Sequence, residues 1–270
     1  MAHDLLPAAD LIDRTLRIET DYTVSRLMVL KHLSGNPVGV QVRDMGHGAV
    51  AMMARYFPNP NFNKVVGLRG GQVGEIKPLI RWYRDNGIRL RFEILPRQED
   101  GELGRELASL GLYPAEFHTS LIRNAEPAGT GKGIAVEAVT TLNALEEFLD
   151  AYIAGWEIPD GAGFKRNVSP AWLNRPGWSL FVARIDDVPA AAAILYVGDR
   201  AAYLADACCD PRFRGRGLHA ALLRERIEAA RKYGVDFICS GAAFGSTSHR
   251  NMERADMRIQ FIRSIWLEKN

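Results

Sequence analysis

Residues 209–219 read Cys-Asp-Pro-Arg-Phe-Arg-Gly-Arg-Gly-Leu-His, and no other stretch limits the fold so tightly. An Asp-Pro turn closes an apolar run that reads as a strand, and two glycines flanking Arg216 then lead into a patterned helix. That helix starts near Leu218 and sets Ala220, Leu223, Ile227, Ala230 and Tyr233 on one face at three- and four-residue spacing. Arg231 and Lys232 in its last turn, with Gly234 just beyond, mark its stop. A Gly-rich turn feeding a helix N-terminus aims several unpaired amides, and about half a positive charge, at one point. Arg212, Arg214 and Arg216 surround that point with cationic side chains. Such a turn suits a phosphate better than it suits a plain connector.

Arg214-Gly215-Arg216-Gly217-Leu218-His219 resembles the pyrophosphate loop of the GNAT acetyltransferases, whose pattern is Arg/Gln-x-x-Gly-x-Gly/Ala. With Arg214 and Gly217 matched, His219 stands where the last small residue belongs. Shifted back by two, Arg212-x-x-Gly215-x-Gly217 meets the pattern in full, and both registers stay open. The resemblance spans about residues 134–270, as strand, Asp-Pro turn, Arg-Gly-x-Gly, helix, strand, short helix and final strand in the family's order.

The resemblance implies an acyltransferase with acetyl-CoA as co-substrate, its diphosphate resting on the amides of Arg214, Gly215, Arg216, Gly217, Leu218 and His219. It also implies that strand Ala202–Cys209 parts from strand Val235–Cys239 in a V. Pantetheine would lie in the wedge beside Ala207, Cys208 and Cys209. Ser248 matches a small residue that often faces coenzyme A. Asn251 flanks Met252, which stands where many members carry a proton-donating tyrosine.

Members of the family transfer the acyl group by direct attack of an amine on the thioester. An amine with a pKa of ~10.4 is neutral in only about one part in a few thousand at pH 7, so a base helps, as does a donor for the sulfur. Asp206 lies on the strand where members often keep a carboxylate and is the candidate catalytic base. Methionine has no proton to give, which leaves Ser246, Ser248, His249 and Asn251 within reach by sequence, although His249 reads as a surface residue. Asp256, at the family's usual glycine, strains its turn if that position needs a positive φ.

Acceptor recognition falls to the irregular segment 156–176, with Trp156, Asp160, Phe164, Lys165, Arg166 and Trp172, and a small-molecule amine is the expected acceptor. Two other readings stay open. One is a coenzyme A-binding sensor without turnover, suggested by the missing tyrosine; the other is O-acyl transfer on the same fold.

A chain of 270 residues holds one large domain or two smaller ones. The clearest composition break is Asn124-Ala-Glu-Pro-Ala-Gly-Thr-Gly-Lys-Gly-Ile134. The expected organisation is a degenerate GNAT-like domain over 1–125, a linker over 126–133 and an acetyl-CoA-binding domain over 134–270. The fold class is α/β (α+β), with two domains that each carry a mixed, mostly antiparallel sheet flanked by helices. In the first half, Leu107-Ala-Ser-Leu-Gly-Leu112 resembles the turn that closes the family's fourth helix, whereas Leu68-Arg-Gly-Gly-Gln-Val-Gly74 lacks the Arg-Gly-x-Gly signature and reads as structural.

A net charge of +2 gives no bulk case for nucleic acid. The longest apolar runs are too short to span a bilayer, and Met1-Ala-His-Asp lacks a secretory pattern. Cys208, Cys209 and Cys239 show neither metal spacing nor a disulfide framework, so a reducing cytoplasm and no metal are expected. Exposed sheet edges allow a homodimer without requiring one.

Overall fold

The computed structural model describes residues 8–57, 59–97, 101–129 and 133–269, so part of the expected linker, 130–132, lies outside the described residues. The chain divides into two units, one of Met1–Ser120 with Ile259–Asn270 and the other of Leu121–Arg258. The sequence boundary leaves 134–270 together; here the terminal strand groups with the first unit instead.

In the first unit, helix α1 (Ala8–Lys31) precedes strands β1 (Val40–Asp44), β2 (Val50–Ala54) and β3 (Lys64–Val66). A 3-10 turn and helix α2 (Ile76–Asp85) lead to β4 (Arg91–Ile94), helix α3 (Gly101–Ser109) and β5 (Leu112–Asn124). The final strand β11 (Arg258–Glu268) pairs antiparallel with β4. β1, β2 and β3 are antiparallel neighbours, whereas β3 and β4 run parallel because a helix connects them.

The sequence reading finds Arg263 breaking an otherwise apolar alternation on β11. Its partners explain it: the buried guanidinium faces Glu19 and Ser120 and donates to Glu93 Oε2 at 3.1 Å. Glu93 in turn accepts from Lys64 Nζ and Arg91 Nε, each at 3.1 Å. Burial alone would push the Glu93 carboxyl up, but Lys64, Arg263 and Arg91 hold it far below the carboxylate range. A charged residue on a core face is tolerated only when paired in this way.

The second unit runs β6 (Val136–Ala138), α4 (Leu142–Gly155), α5 (Gly161–Trp172), β7 (Trp178–Ile185), β8 (Val188–Gly198) and β9 (Ala201–Cys209). Helix α6 (Leu218–Lys232), strand β10 (Phe237–Ala243) and helix α7 (Thr247–Glu253) complete it. β6 through β9 are antiparallel neighbours and β10 joins β9 in parallel. Each unit is thus a mixed, mostly antiparallel sheet with helices, as expected.

Four consecutive alanines of β8, Ala190–Ala193, are fully buried and let helices approach the sheet closely. On one face Leu218, Leu222, Leu223, Ile227 and Ala230 of α6 pack on Ala191, Ala193, Ala202 and Leu204. α4 is capped by Thr141, whose hydroxyl accepts from Ala144 N at 3.2 Å, and buries Leu145, Phe148, Leu149 and Tyr152.

Three sequence expectations shift. The spacing of Leu142, Leu145, Leu149 and Ile153 predicts that all four face inward, but Leu142, at the first helical position, is 65% exposed. Tyr233 lies at the C-cap of α6, beyond its buried stripe, and is exposed. Segment 156–176 is not irregular throughout: Asp160 caps α5 by accepting from Gly163 N at 2.8 Å. Glycines at both 161 and 163 hid that helix from a propensity reading. Among the described residues no helix is long and apolar enough to cross a membrane.

Candidate functional site

The turn between β9 and α6 is built by Asp210, Gly215 and Gly217. Asp210 is buried and accepts from Arg212 N at 2.9 Å and from Arg212 Nη2 at 2.6 Å. Arg212 therefore neutralises its own turn and holds the Asp210 carboxyl below the usual range. Gly215 and Gly217 adopt φ of +80° and +88°, left-handed values that other residues disfavour. A Cβ at Gly215 would meet open space, so conformation rather than crowding demands glycine there.

Backbone hydrogen bonds show what the turn leaves open. Phe213 N donates to Asp210 O at 2.9 Å, and Ala221 N donates to Gly217 O at 3.0 Å. Between them, the amides of Gly215, Arg216, Gly217 and Leu218 reach no protein acceptor among the described residues. The His219 amide faces the Cys209 thiol, which burial pushes up against the opposing pull of Arg214. Arg214 and Arg216 are exposed beside these amides, Arg214 with Glu157 Oε1 at 3.8 Å and Arg216 over the Phe213 ring at 5.5 Å. The arrangement can take up an anion.

β9 and β10 are matched only at Ala201, Ala202 and Tyr203 against Phe237, Ile238 and Cys239. Both strands continue, to Cys209 and Ala243, and Ser240 Oγ donates to Leu204 O at 2.8 Å where they part. This parting is the V expected of the fold.

Beyond it, β9 bulges. Ala192 matches Cys208 and Ile194 matches Ala205, so Asp206 and Ala207 together oppose Ala193. Asp206 takes φ of +43°, a value aspartate tolerates better than most residues. Its Oδ2 accepts from the Tyr152 hydroxyl of α4 at 3.2 Å. Ala207 and Cys209 turn to the opposite face, against the α6 core. Cys208 is buried under α4, where its Sγ lies 3.9 Å from Ala151 O; burial pushes its thiol up. α4 comes so close that a Cβ on Gly155 would sit 2.7 Å from Cys208 Sγ.

Arg226 of α6 supports the bulge from behind with a side chain that has no exposed surface. It donates to Leu222 O at 3.0 Å, to Ile194 O at 3.1 Å and to Ala205 O at 2.9 Å. The last two carbonyls flank the break in the β8–β9 ladder.

α7 is capped by Ser246, whose hydroxyl accepts from His249 N at 3.1 Å. His249 is buried rather than at the surface, because its Nδ1 accepts from Gly245 N at 2.8 Å and its ring lies 5.5 Å from that of Phe244. Ser248 is half-buried on the same helix. Asn251 Nδ2 lies 3.3 Å from His219 Nδ1, joining α7 to the start of α6. Burial, helped by the charge of Arg226, pulls His219 down to about 4. Met252 is buried in the core, and Asp256 does take a left-handed φ of +60°.

The fold thus gathers His219 and Asn251 beside the open amides and sets Asp206 on the bulge, with Cys208 buried under α4 on the same side of the sheet as Asp206. Sequence reasoning missed Tyr152, Glu157 and Arg226. Two of these carried a signal: Tyr152 continues the Leu145–Leu149 stripe and needs a partner for its hydroxyl, and Arg226 interrupts the stripe of Leu222, Leu223 and Ile227.

The equivalent turn of the first unit is closed. Arg69 N donates to Gln72 Oε1 at 3.1 Å, and Gln72 Nε2 donates to Met45 O at 2.8 Å. Arg69 Nη2 is held at 2.8 Å by Asp13, which Arg97 also contacts. Its single arginine is engaged within the protein. Among the described residues no cluster of His, Cys, Asp or Glu is placed to hold a metal ion.

Residues 115–246 match the family described as acetyltransferase (GNAT) domain. No curated protein matches the sequence. Among solved structures, a GCN5-related N-acetyltransferase from Kribbella flavida is similar at 13% identity and a TM-score of 0.64, covering 93% of this chain and 95% of that one. A conserved protein of unknown function from Staphylococcus epidermidis aligns at 12% identity and a TM-score of 0.63, over 90% and 99% of the two chains. A tandem GNAT protein from the clavulanic acid biosynthesis pathway aligns at 14% identity and a TM-score of 0.58, over 97% and 96%.

Proposed function

We propose that the chain is a tandem GNAT protein acting as an acyl-CoA-dependent N-acyltransferase, using acetyl-CoA on a small-molecule amine; the GNAT-domain match over residues 115–246 and the likeness of the fold to a tandem GNAT structure support this reading. The observation that carries this reading is the set of open amides from Gly215 to Leu218, flanked by exposed Arg214 and Arg216. The diphosphate of coenzyme A is an anion of the right chemistry for that turn. Ala207, Cys209, His219, Ser248 and Asn251 would line the rest of the co-substrate, with Cys208 packing behind it. The closed turn of the first unit supports a single acyl-CoA site in the second. Three free cysteines fit a reducing cytoplasm.

Acetyl-CoA supplies an activated carbonyl. The acceptor arrives as an ammonium ion, and Asp206 takes a proton from it to free the nitrogen lone pair. Nitrogen then bonds to the carbonyl carbon, the carbon–sulfur bond breaks with its electron pair on sulfur, and the nitrogen loses a second proton to solvent. The thiolate takes its proton from solvent, since Met252 has none to give.

The test is acetyl-CoA binding and free-thiol release with an amine panel, for wild type and Arg214→Glu. At a hundredfold excess over the dissociation constant, binding should add about 2.7 kcal/mol to unfolding stability. The variant should lose most of that gain. Binding with amine-dependent thiol release supports the reading. Binding without turnover favours a sensor, and release with alcohols alone favours O-acylation. If acetyl-CoA stabilises neither protein, the coenzyme A reading is wrong.

A further inference from the structure

Resting on the acyltransferase reading, we propose that the acceptor is a monoamine on an apolar body of aromatic size, its ammonium set against Asp206 and its body against Trp156 and Phe164. Asp206 sits at the hydroxyl end of Tyr152, the centre of an aromatic stack. Phe148 stacks on the Tyr152 ring at 5.8 Å, and Phe164 at 5.7 Å and 7°. Trp172 meets the Tyr152 ring edge-on at 5.3 Å, and Trp156 lies 6.3 Å away.

Core packing accounts for Phe148, Tyr152 and Trp172, which are buried, but not for Trp156 and Phe164. Trp156 is 48% exposed at the end of α4, and Phe164 is only partly covered on α5. A partly exposed carboxylate on a strand bulge, next to open ring surface, offers one negative charge and an apolar wall. That combination recognises an ammonium ion attached to hydrocarbon.

The surrounding charges argue against a polyamine. Lys165 lies 3.1 Å from Glu146 and 2.7 Å from Asp150, so a second ammonium would compete with a resident lysine for those carboxylates. Glu157 lies 3.8 Å from Arg214, so its charge faces the anion-binding turn.

The experiment compares 2-phenylethylamine, ethanolamine and spermidine as acceptors at saturating acetyl-CoA, with acetyl-CoA stabilisation measured in the same series. We expect kcat/KM for 2-phenylethylamine to exceed the other two by about tenfold or more. Trp156→Ala removes an exposed ring without opening the core. It should raise KM for 2-phenylethylamine about fivefold, leaving KM for ethanolamine and for acetyl-CoA in place. Asp206→Asn keeps a side chain that tolerates the left-handed backbone and should slow all three amines. Equal or better use of spermidine or ethanolamine would overturn the proposal, as would a Trp156→Ala effect confined to acetyl-CoA. Acetyl-CoA binding with no amine turned over also overturns it. Loss of acetyl-CoA binding itself sinks the acyltransferase reading instead, and the two failures are read from different columns of one data set.

Discussion

Arg226 Nη1 donates to the carbonyl oxygen of Ala205 at 2.9 Å, one residue before Asp206 takes its left-handed turn. The bulge opens the β8–β9 ladder, and a carbonyl without a donor in a dry interior is costly, so this arginine is a consequence of the bulge. Arg226→Met keeps the bulk and removes the donors to Ile194 O and Ala205 O. We expect a stability loss of about 2–4 kcal/mol in urea unfolding. Acyl transfer should fall in kcat more than acetyl-CoA affinity falls, because Asp206 and not the anion-binding turn loses its support. A fully active variant would show that the bulge holds without it.

His219 gives the second unit an acid-sensitive step. Burial, with Arg226 second, lowers its folded pKa from an ordinary 6.5 to about 4. The unfolded chain therefore binds a proton between those values while the folded chain does not. Full stability is present above pH 6.5 and is lost progressively as pH falls toward 4. The loss amounts to about 3 kcal/mol at most. Unfolding free energies of wild type and His219→Asn, measured from pH 7 to pH 4, check this. The variant should lack the slope in that window, and Arg226→Met should raise the His219 pKa followed by NMR.

Gly217 is held by conformation. A Cβ there would meet only Ile134 Cδ1, at an ordinary 3.5 Å, yet its φ is +88°. Gly217→Ala should cost about 1–2 kcal/mol in thermal unfolding. Acetyl-CoA affinity should fall further than stability does, because the amides of Arg216, Gly217 and Leu218 move with the turn. Calorimetric titration separates the two effects.

Much of the second unit is legible in the sequence because each element there satisfies local and global demands together. The start of α6 at Leu218 falls where periodicity and glycine place it. The open turn is legible for the same reason: glycine and arginine at fixed spacing are local signals. What stays hidden is non-local. The Tyr152–Asp206 hydrogen bond joins residues 54 apart in sequence. Nothing in residues 258–268 says that this strand pairs with β4, since alternation gives a strand its faces but not its neighbour. Arg263 could be read as an exception to that alternation, but the carboxylates that make it one come from Glu19 and Glu93, far earlier in the chain.

That buried network of the first unit yields the last prediction. Glu93 faces Lys64, Arg91 and Arg263, while Glu19 faces Arg263 from α1. For Lys64, burial outweighs the attraction of Glu93 and lowers its pKa. Glu93 stays ionised regardless, because three cations surround it. Glu93→Gln preserves shape but removes the charge that faces all three cations, leaving Arg263 with Glu19 and Arg91 with Glu116 at 3.6 Å, so it should cost about 3–5 kcal/mol. Adding Lys64→Met to Glu93→Gln removes one of the three cations left without that carboxylate and should recover part of the loss. Because the Glu93 pKa is depressed, its contribution is complete above the ordinary 4.5 and fades only as pH falls below it. Acid unfolding should thus proceed in two windows, the His219 window first and the Glu93 window below it. Denaturant titrations of Glu93→Gln at pH 7 and pH 4 check the order. If the single variant unfolds like wild type, the network is not what holds β11 in the first unit.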